Sequence, residues 1–185
     1  MIAWTDGGVP RPLVVNWGAG VDSTAVLVEL TRRSITPDLV IFADTGSEKP
    51  ETYQFVGTFD HWLTSHGMPG VTIVRRAKSK PSKTGPGYTT IEGNCLQNKT
   101  LPSLAFRRKS CSLKWKAEPM DNWLETWGPA RAAWASGRRV TKLIGYDCGP
   151  ADSRRAVDRA GDEKYVYLYP LRDWGWDRER CIREI

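Results

Sequence analysis

The chain has 185 residues and a net charge of +6, with 40% hydrophobic and 26% charged residues. This length and composition fit one globular domain with its own core, and no run of about 18 apolar residues is present that would cross a membrane. Residues 1–12 lack the basic stretch and apolar core of a secretory signal, so a cytoplasmic protein is expected.

Strand and helix signals alternate along the first part of the chain. Leu13–Trp17 is a short apolar run that predicts a buried strand, and a helical pattern follows over residues 22–33. Residues 38–44 predict a second strand, Pro50–Ser65 a helix that begins at a proline, and residues 71–74 a third strand. Such alternation favours a parallel sheet covered by helices.

The second part of the chain begins with a segment that has loop composition, residues 78–87. A helix is predicted near Pro119, strands over residues 140–146 and 165–169, and a last helix capped by Asp177. That helix stops in mid-pattern at Ile185, so a truncated chain is expected.

These elements predict an α/β protein with one three-layer domain: a mostly parallel, five-stranded sheet with helices on both faces. The domain is expected over residues 13–185, with an N-terminal extension at 1–12 and a basic loop insert at 76–106.

Positive charge is concentrated in one segment. Residues 75–116 hold eleven lysines and arginines against a single acid, Glu92, whereas the rest of the chain holds sixteen basic and twenty acidic residues. The segment suits an anionic partner, either the phosphates of a nucleotide or RNA or DNA. A solvated loop without a partner is the alternative.

The four cysteines, Cys95, Cys111, Cys148 and Cys181, are widely and irregularly spaced. At this chain length the pattern favours reduced thiols over a disulfide scaffold. A zinc ion or iron–sulfur cluster held by Cys95 and Cys111 is the alternative.

A glycine-rich turn joins the first predicted strand to the first predicted helix. Its glycines would let a phosphate approach the free N–H groups at the positive end of the helix. The residues expected to bind phosphate are Gly18, Ala19, Gly20, Asp22, Ser23 and Thr24. Asp22 is expected to cap the helix and is the candidate ligand for Mg²⁺. The turn is neither a Walker A loop nor a dinucleotide fingerprint, and a plain glycine turn is the alternative.

The turn resembles the Ser-Gly-Gly-x-Asp-Ser signature of the PP-loop superfamily, the adenine nucleotide alpha hydrolase-like proteins. Gly18 stands at the serine position and Ala19 at a glycine position. The resemblance therefore implies one hydroxyl contact to phosphate fewer than in the family.

A second segment, residues 44–53, is similar to the phosphoadenosine phosphosulfate (PAPS) reductase branch of that superfamily, which has Asp-Thr-Gly, a gap and then Pro-Glu-Thr. The resemblance implies that Asp44, Thr45, Gly46 and Glu51 belong to the nucleotide site, because open α/β sheets bind ligands at the carboxyl ends of their strands. A strand-end turn followed by a helix at Pro50 is the alternative.

Three later segments continue the likeness, so that it covers about residues 13–180. The first of them resembles a family segment with a cysteine, a basic residue and a helix-opening proline, at Cys111, Lys116 and Pro119. The basic flank of Cys111 would also lower its thiol pKa.

Gly145 matches a strand-ending glycine of the family, although Tyr146 replaces the arginine that usually follows. Arg154 and Arg155 are the candidates to replace that phosphate contact. Residues 169–177 resemble a Pro-Leu and Trp-Asp segment whose tryptophans are expected to pack the fold.

The resemblance implies an enzyme that acts at the α-phosphate of ATP, as ATP pyrophosphatases do in sulfur or nucleic-acid modification. Asp22, Cys111 and Lys116 are the candidate catalytic residues, with ATP or PAPS and Mg²⁺ as bound groups. Reduction of PAPS or its relative APS is the alternative, although the Glu-Cys-Gly cysteine used by the reductases is not found before Ile185. A non-catalytic nucleotide or nucleic-acid binding protein is a third possibility.

Overall fold

A five-stranded, all-parallel sheet forms the centre of the protein in the computed structural model, which describes residues 5, 6, 8–83, 85–101, 112–156 and 161–185. Its strands stand in the order β5-β4-β3-β6-β7. They are Leu13–Trp17 (β3), Leu39–Asp44 (β4), Val71–Arg75 (β5), Val140–Ile144 (β6) and Tyr165–Leu168 (β7). Before them, Thr5–Asp6 (β1) and Val9–Pro10 (β2) pair as a small antiparallel hairpin within the predicted extension.

Helices connect the strands and cover both faces of the sheet. They are Val21–Arg32 (α1), Pro50–Ser65 (α2), Ile91–Asn98 (α3), Glu118–Leu124 (α4), Gly128–Ala135 (α5), Pro150–Ser153 (α6), Pro170–Asp173 (α7) and Arg178–Glu184 (α8). A π-helical turn, Leu113–Ala117, runs directly into α4. The Asp177 side chain accepts a hydrogen bond from the Arg180 N–H and caps α8, as predicted.

Two apolar clusters fill the space between the layers. On one face, β3 and β4 pack through Val15, Trp17 and Phe42 against α1, α2 and the cysteine of α8, Cys181. On the other face, Val14 and its neighbours pack against α4 and α5. The predicted three-layer α/β architecture is confirmed.

The order of the strands creates a switch point beside β3. The chain moves outward from β3 to β4 and β5, and then returns to add β6 and β7 on the opposite side of β3. The connections on the two sides of β3 therefore leave a crevice above the carboxyl ends of β3 and β6, which is where doubly wound sheets bind ligands.

The five predicted strands and the helix Pro50–Ser65 are confirmed, with ends that shift by one or two residues. Helix α3 was not predicted; its Thr90 side chain accepts a hydrogen bond from the Gly93 N–H and caps it within a segment of loop composition. In the described residues, no helix is long and apolar enough to cross a membrane.

Candidate functional site: a pocket at the switch point

A pocket with a volume of about 420 Å³ lies above the carboxyl ends of β3 and β6. One wall is the glycine turn with the start of α1, and the other is the π-helical turn with α4. The described residues that line it are Asn16, Trp17, Gly18, Gly20, Asp22, Ser23, Ser112, Leu113, Lys116, Ala117, Met120, Asp121, Lys142, Ile144, Gly145, Tyr146, Asp152, Arg155 and Tyr167. The size suits a small-molecule ligand.

The glycine turn is held in shape by the Ser23 hydroxyl. This oxygen accepts a hydrogen bond from the Gly18 N–H at 3.1 Å and donates one to the Gly20 carbonyl at 3.2 Å. Gly20 is the N-cap of α1, and a side chain built on it would meet nothing within 4 Å. The turn is thus fixed from within, and its open side faces the pocket at the positive end of a twelve-residue helix.

Ala19 adopts a left-handed backbone conformation with φ of 53°. Such a conformation costs an L-residue about 1–2 kcal/mol but costs glycine little. This explains physically why the resembling family has glycine at the same point of the turn.

Asp22 lies in the first turn of α1 and lines the pocket, but it does not cap the helix as predicted, since Gly20 holds that position without a side-chain bond. Its Oδ2 accepts a hydrogen bond from Arg178 of α8 at 2.8 Å, while its Oδ1 is buried without a partner among the described residues. Burial raises the pKa of Asp22 above its ordinary value, against the lowering effect of Arg178. The carboxylate is therefore poised to gain from a further cation or donor.

Gly145 brings β6 against the first turn of α1. A Cβ built on Gly145 would lie 2.6 Å from both the Cα and the backbone nitrogen of Ser23. Only glycine permits this approach, so Gly145 sets the position of the glycine turn.

The basic residues of the described lining each meet a carboxylate. Lys116 Nζ lies 3.6 Å from the Glu48 carboxylate, and Arg155 donates to Asp152 at 2.8 Å. These pairs are partly exposed and can be exchanged for a ligand phosphate at small cost.

Among the pocket residues that the sequence analysis did not predict are two polar residues in strands, Lys142 and Asn16. Lys142 lies in mid-strand, is only 2% exposed, forms an ion pair with Asp121 and places Nζ 3.4 Å from the centre of the Tyr165 ring. Asn16 also lies in a strand, and its Oδ1 is buried without a hydrogen-bond partner in the described residues. A polar residue inside an apolar strand pattern was the available signal.

The Asp-Thr-Gly segment at the end of β4 forms a self-contained corner. The Asp44 carboxylate accepts hydrogen bonds from the Gly46 N–H, the Tyr53 hydroxyl and the Arg75 guanidinium, all at 2.8 Å. Burial favours a higher pKa for Asp44, but these bonds outweigh it and lower the pKa below its usual value. Gly46 has a φ of 69°, and a Cβ there would lie 2.3 Å from the Thr90 side chain.

The structure thus divides the predicted site residues into two groups. The pocket brings together Gly18, Gly20, Asp22, Ser23, Lys116, Gly145 and Arg155. The other described candidates are not in its lining: Ala19, Thr24, Asp44, Thr45, Gly46, Glu51 and Arg154. Thr24 is buried, and its hydroxyl accepts a hydrogen bond from the Trp17 indole at 3.0 Å; Glu51 and Arg154 are exposed.

Cys111 lies outside the described residues, while its neighbour Ser112 lines the pocket. In the described part of the chain, Cys95, Cys148 and Cys181 are free thiols, and no group of three His, Cys, Asp or Glu side chains is placed to hold a metal ion. Mg²⁺ bound with a nucleotide needs only one or two carboxylates, because phosphates and water supply its other ligands. The unpartnered Oδ1 of Asp22 fits that requirement, and the residues that the structure describes offer no all-protein metal cage.

The fold and the pocket define a doubly wound α/β domain with a glycine turn and a helix N-terminus at its switch point, an arrangement that favours anions. The chain matches the phosphoadenosine phosphosulfate reductase domain family over residues 12–178, and it belongs to that family. A search of curated proteins found no match. The family is one of nucleotide-binding enzymes, in line with the resemblance read from the residues.

Proposed function

We propose that the chain is an enzyme that binds ATP and acts at its α-phosphate. The single observation that carries this is the composition of the pocket: a glycine turn at a helix N-terminus stands beside a buried, unpartnered carboxylate oxygen, that of Asp22. The helix end attracts phosphate, and the carboxylate oxygen suits the Mg²⁺ that accompanies a triphosphate.

In this proposal the pocket residues supply positioning and charge. The N–H groups around Gly20 hold the phosphate chain. Lys116 exchanges Glu48, and Arg155 exchanges Asp152, for oxygens of the phosphates. Mg²⁺, when bound beside Asp22, would offset the negative charge of the phosphates. An acceptor oxygen then attacks the α-phosphorus, the bond to the bridging oxygen breaks, and pyrophosphate leaves with the electron pair.

Reduction of a sulfonucleotide, the alternative reaction, requires a thiolate at the nucleotide. None of the three described cysteines lines the pocket. Burial raises the pKa of Cys181 to about 12, so its thiol is protonated at neutral pH.

The test is a product assay with both nucleotides. With ATP, Mg²⁺ and a pool of candidate acceptors, we expect AMP and pyrophosphate, and an Asp22→Asn variant should lose at least about 100-fold in rate, as for loss of a main electrostatic group. Release of sulfite from PAPS with a thiol reductant would select the reductase instead. Binding of ATP with no product from either nucleotide would favour the non-catalytic alternative.

Nucleic acid is the acceptor class that the basic segment favours. Lys78, Lys80 and Lys83 are exposed, and none forms an ion pair with another described residue. A triphosphate needs about four compensating charges, and the helix end already serves some of them, whereas the segment 75–116 carries eleven. The excess supports a longer polyanion.

Salt dependence tests this partner. Replacing Lys78, Lys80 and Lys83 with Ala should make the affinity for RNA or DNA fall less steeply with salt concentration, by the slope that about three phosphate contacts contribute. ATP binding should be unchanged. Replacing three exposed basic residues elsewhere, Lys49, Arg131 and Arg183, is the matched control. No affinity for either nucleic acid at low salt would reject the polyanion and leave a small-molecule acceptor.

A further inference from the structure

Two shallow depressions continue the pocket across α4 towards the edge strand β5. The first shares Leu113, Ala117 and Asp121 with the lining of the pocket. The second has a volume of about 620 Å³ and reaches β5 and the segment that follows it. The residues that line both depressions are Arg76, Glu118 and Asn122. We call the two depressions together the α4 groove; it lies between residues 113–126 on one side and residues 73–80 on the other.

The spacing of the shared residues explains why the depressions adjoin the pocket. Leu113, Ala117 and Asp121 lie four residues apart and form one row of side chains along the helix, and Glu118 and Asn122 belong to the next row. The pocket and the two depressions are therefore successive hollows that are separated only by such rows. A long, extended ligand can lie across them and reach the pocket at one end.

The α4 groove contains positive charges that no carboxylate of the described residues offsets. Lys78 and Lys80 are exposed in its lining, and neither forms an ion pair with another described residue. Lys114 donates hydrogen bonds to the Tyr88 hydroxyl at 2.9 Å and to the Asn94 amide oxygen at 3.2 Å. Both of these partners are neutral, so Lys114 keeps its charge in the groove.

The acids that line the α4 groove are balanced by cations. Glu118 accepts a hydrogen bond from Arg76 at 2.7 Å, and Asp121 forms an ion pair with Lys142. Arg75 also belongs to the lining, and its side chain is 73% exposed although it contacts a buried carboxylate. The net charge of the groove is therefore positive, which suits a chain of phosphates.

An aromatic side chain stands among these charges. Trp123 is partly exposed and lines the second depression, and its ring centre lies 6.3 Å from that of Trp127. A flat ring beside a positively charged groove is the arrangement on which single-stranded nucleic acids bind, because any unpaired base can stack on the ring. The bases of a duplex stack on one another and do not offer their faces in this way.

We propose that the α4 groove binds a single-stranded segment of the nucleic acid on which the enzyme acts. Phosphates of the strand contact Lys78, Lys80 and Lys114, and one base stacks on Trp123. The proposal rests on the proposed function above and deepens it, because the groove delivers the acceptor nucleotide over Leu113 to the α-phosphate in the pocket.

Fluorescence anisotropy with labelled strands of about 12 nucleotides tests the groove on the full chain without ATP. Single-stranded RNA and single-stranded DNA are the two probes, and the tighter of the two identifies the acceptor. A duplex of the same sequence should bind at least about tenfold more weakly.

Trp123→Leu tests the stacking contact. The variant should bind the single strand about tenfold more weakly, whereas Trp123→Phe, which keeps a flat ring, should retain most of the affinity. Trp127→Leu is the matched control, because Trp127 packs against the same apolar cluster but does not line the groove. Equal losses from Trp123→Leu and Trp127→Leu would show an effect of packing and reject the stacking contact.

A gain of affinity gives the decisive test, since it cannot result from misfolding. Asn122 is exposed and lines both depressions. Asn122→Lys should tighten binding of the single strand about threefold or more and steepen its salt dependence by about one phosphate contact. Gln54→Lys, at an exposed position of α2 on the opposite face of the sheet, is the control and should change both much less. ATP binding should be the same in both variants.

The outcomes separate the two proposals. If neither single strand binds at low salt, or if Asn122→Lys and Gln54→Lys have equal effects, the groove is rejected even when ATP is converted to AMP and pyrophosphate. If the groove variants behave as expected but no product forms from ATP, the proposed function and the acceptor role are rejected, and the groove stands as a binding site for nucleic acid.

Discussion

The two strand-end motifs of this protein, one after β3 and the other after β4, differ in what they do with their polar groups. At the end of β4, Asp44 is bonded on all sides and joins a turn, a helix and a neighbouring strand. At the end of β3, Asp22 keeps one buried oxygen without a partner in the described chain. A motif whose polar atoms are all hydrogen-bonded within the protein stabilises the fold, while a motif with an unpartnered polar atom is a candidate for ligand binding.

The largest effect is expected at Gly145, where the end of β6 packs against the glycine turn and the first turn of α1. Gly145→Ala would place a methyl group 2.6 Å from the backbone of Ser23, and backbone cannot rotate away as a side chain can. We expect a loss of about 3 kcal/mol in the free energy of unfolding together with loss of ATP binding, measured by denaturant titration and calorimetry. Gly128→Ala, where a Cβ meets nothing within 4 Å, is the control. A fully stable Gly145→Ala protein would contradict the tight approach.

Asp44→Asn would weaken the hydrogen bonds that hold the Asp-Thr-Gly segment at the end of β4. The carboxylate is 3% exposed while its partner Arg75 is mostly exposed, so we expect a loss of about 2 kcal/mol at neutral pH, less than for a fully buried pair. Because the folded pKa of Asp44 is lowered, its stabilisation is complete above the unfolded pKa of about 3.9 and disappears as the pH falls through the folded value. Urea titrations at several pH values should show this acid loss in the wild type and a smaller one in the variant.

Asp22→Asn is the corresponding substitution in the motif after β3, where Oδ1 of Asp22 has no partner in the described residues. The pKa of Asp22 is raised, so its ionisation costs stability as the pH rises from the unfolded pKa through the folded one. We therefore expect the asparagine variant to be as stable as the wild type at neutral pH, or more stable, although its reaction rate falls. If Asp22→Asn destabilised the protein as much as Asp44→Asn does, the contrast between the two motifs would be lost.

A smaller effect is expected from a substitution in the glycine turn that weakens ATP binding but leaves folding unchanged. Gly20→Val adds a side chain in open space at the pocket wall, so folding should be kept while the phosphate is obstructed. We expect ATP affinity to fall at least about tenfold, or about 1.4 kcal/mol, by calorimetry. Unchanged affinity in the folded variant would remove the turn from the site.

The smallest effect concerns backbone strain. Ala19→Gly relieves a φ of 53°, and part of the gain of about 1–2 kcal/mol is offset by the greater freedom of glycine in the unfolded chain. We expect a net stabilisation below about 1 kcal/mol, measured by thermal unfolding. A loss of stability would show that the methyl group contributes packing that outweighs the strain.

Most of the fold could be predicted from the sequence because the pattern of each strand and helix is local. The apolar runs of β3 and β4 and the first-turn proline of α2 are signals of this kind. The site was only partly predictable. The sharpest motif match, Asp44 to Gly46, lies outside the lining of the pocket, and its role in nucleotide binding stays a prediction. Spacing alone does not show that the Asp44 carboxylate is already hydrogen-bonded.

What could not be predicted depends on contacts between distant parts of the chain. The pairing of Lys142 with Asp121 and the approach of Gly145 to Ser23 join different strands and helices. Asn16 gave a faint signal as an amide in an apolar strand, but its lack of a partner is a property of the folded surroundings. The predicted role of Cys111 stays a prediction, because that residue lies outside the described part of the chain.

The bond between Asp22 and Arg178 has a consequence for biosynthesis. Its two residues are separated by 156 positions, so at about 5–20 residues per second the ribosome delivers the arginine roughly 8–30 s after the aspartate. Throughout that interval the glycine turn lacks the Arg178 cation that balances Asp22. In the nascent chain the proposed nucleotide site is therefore complete only when α8 has emerged and packed on α1.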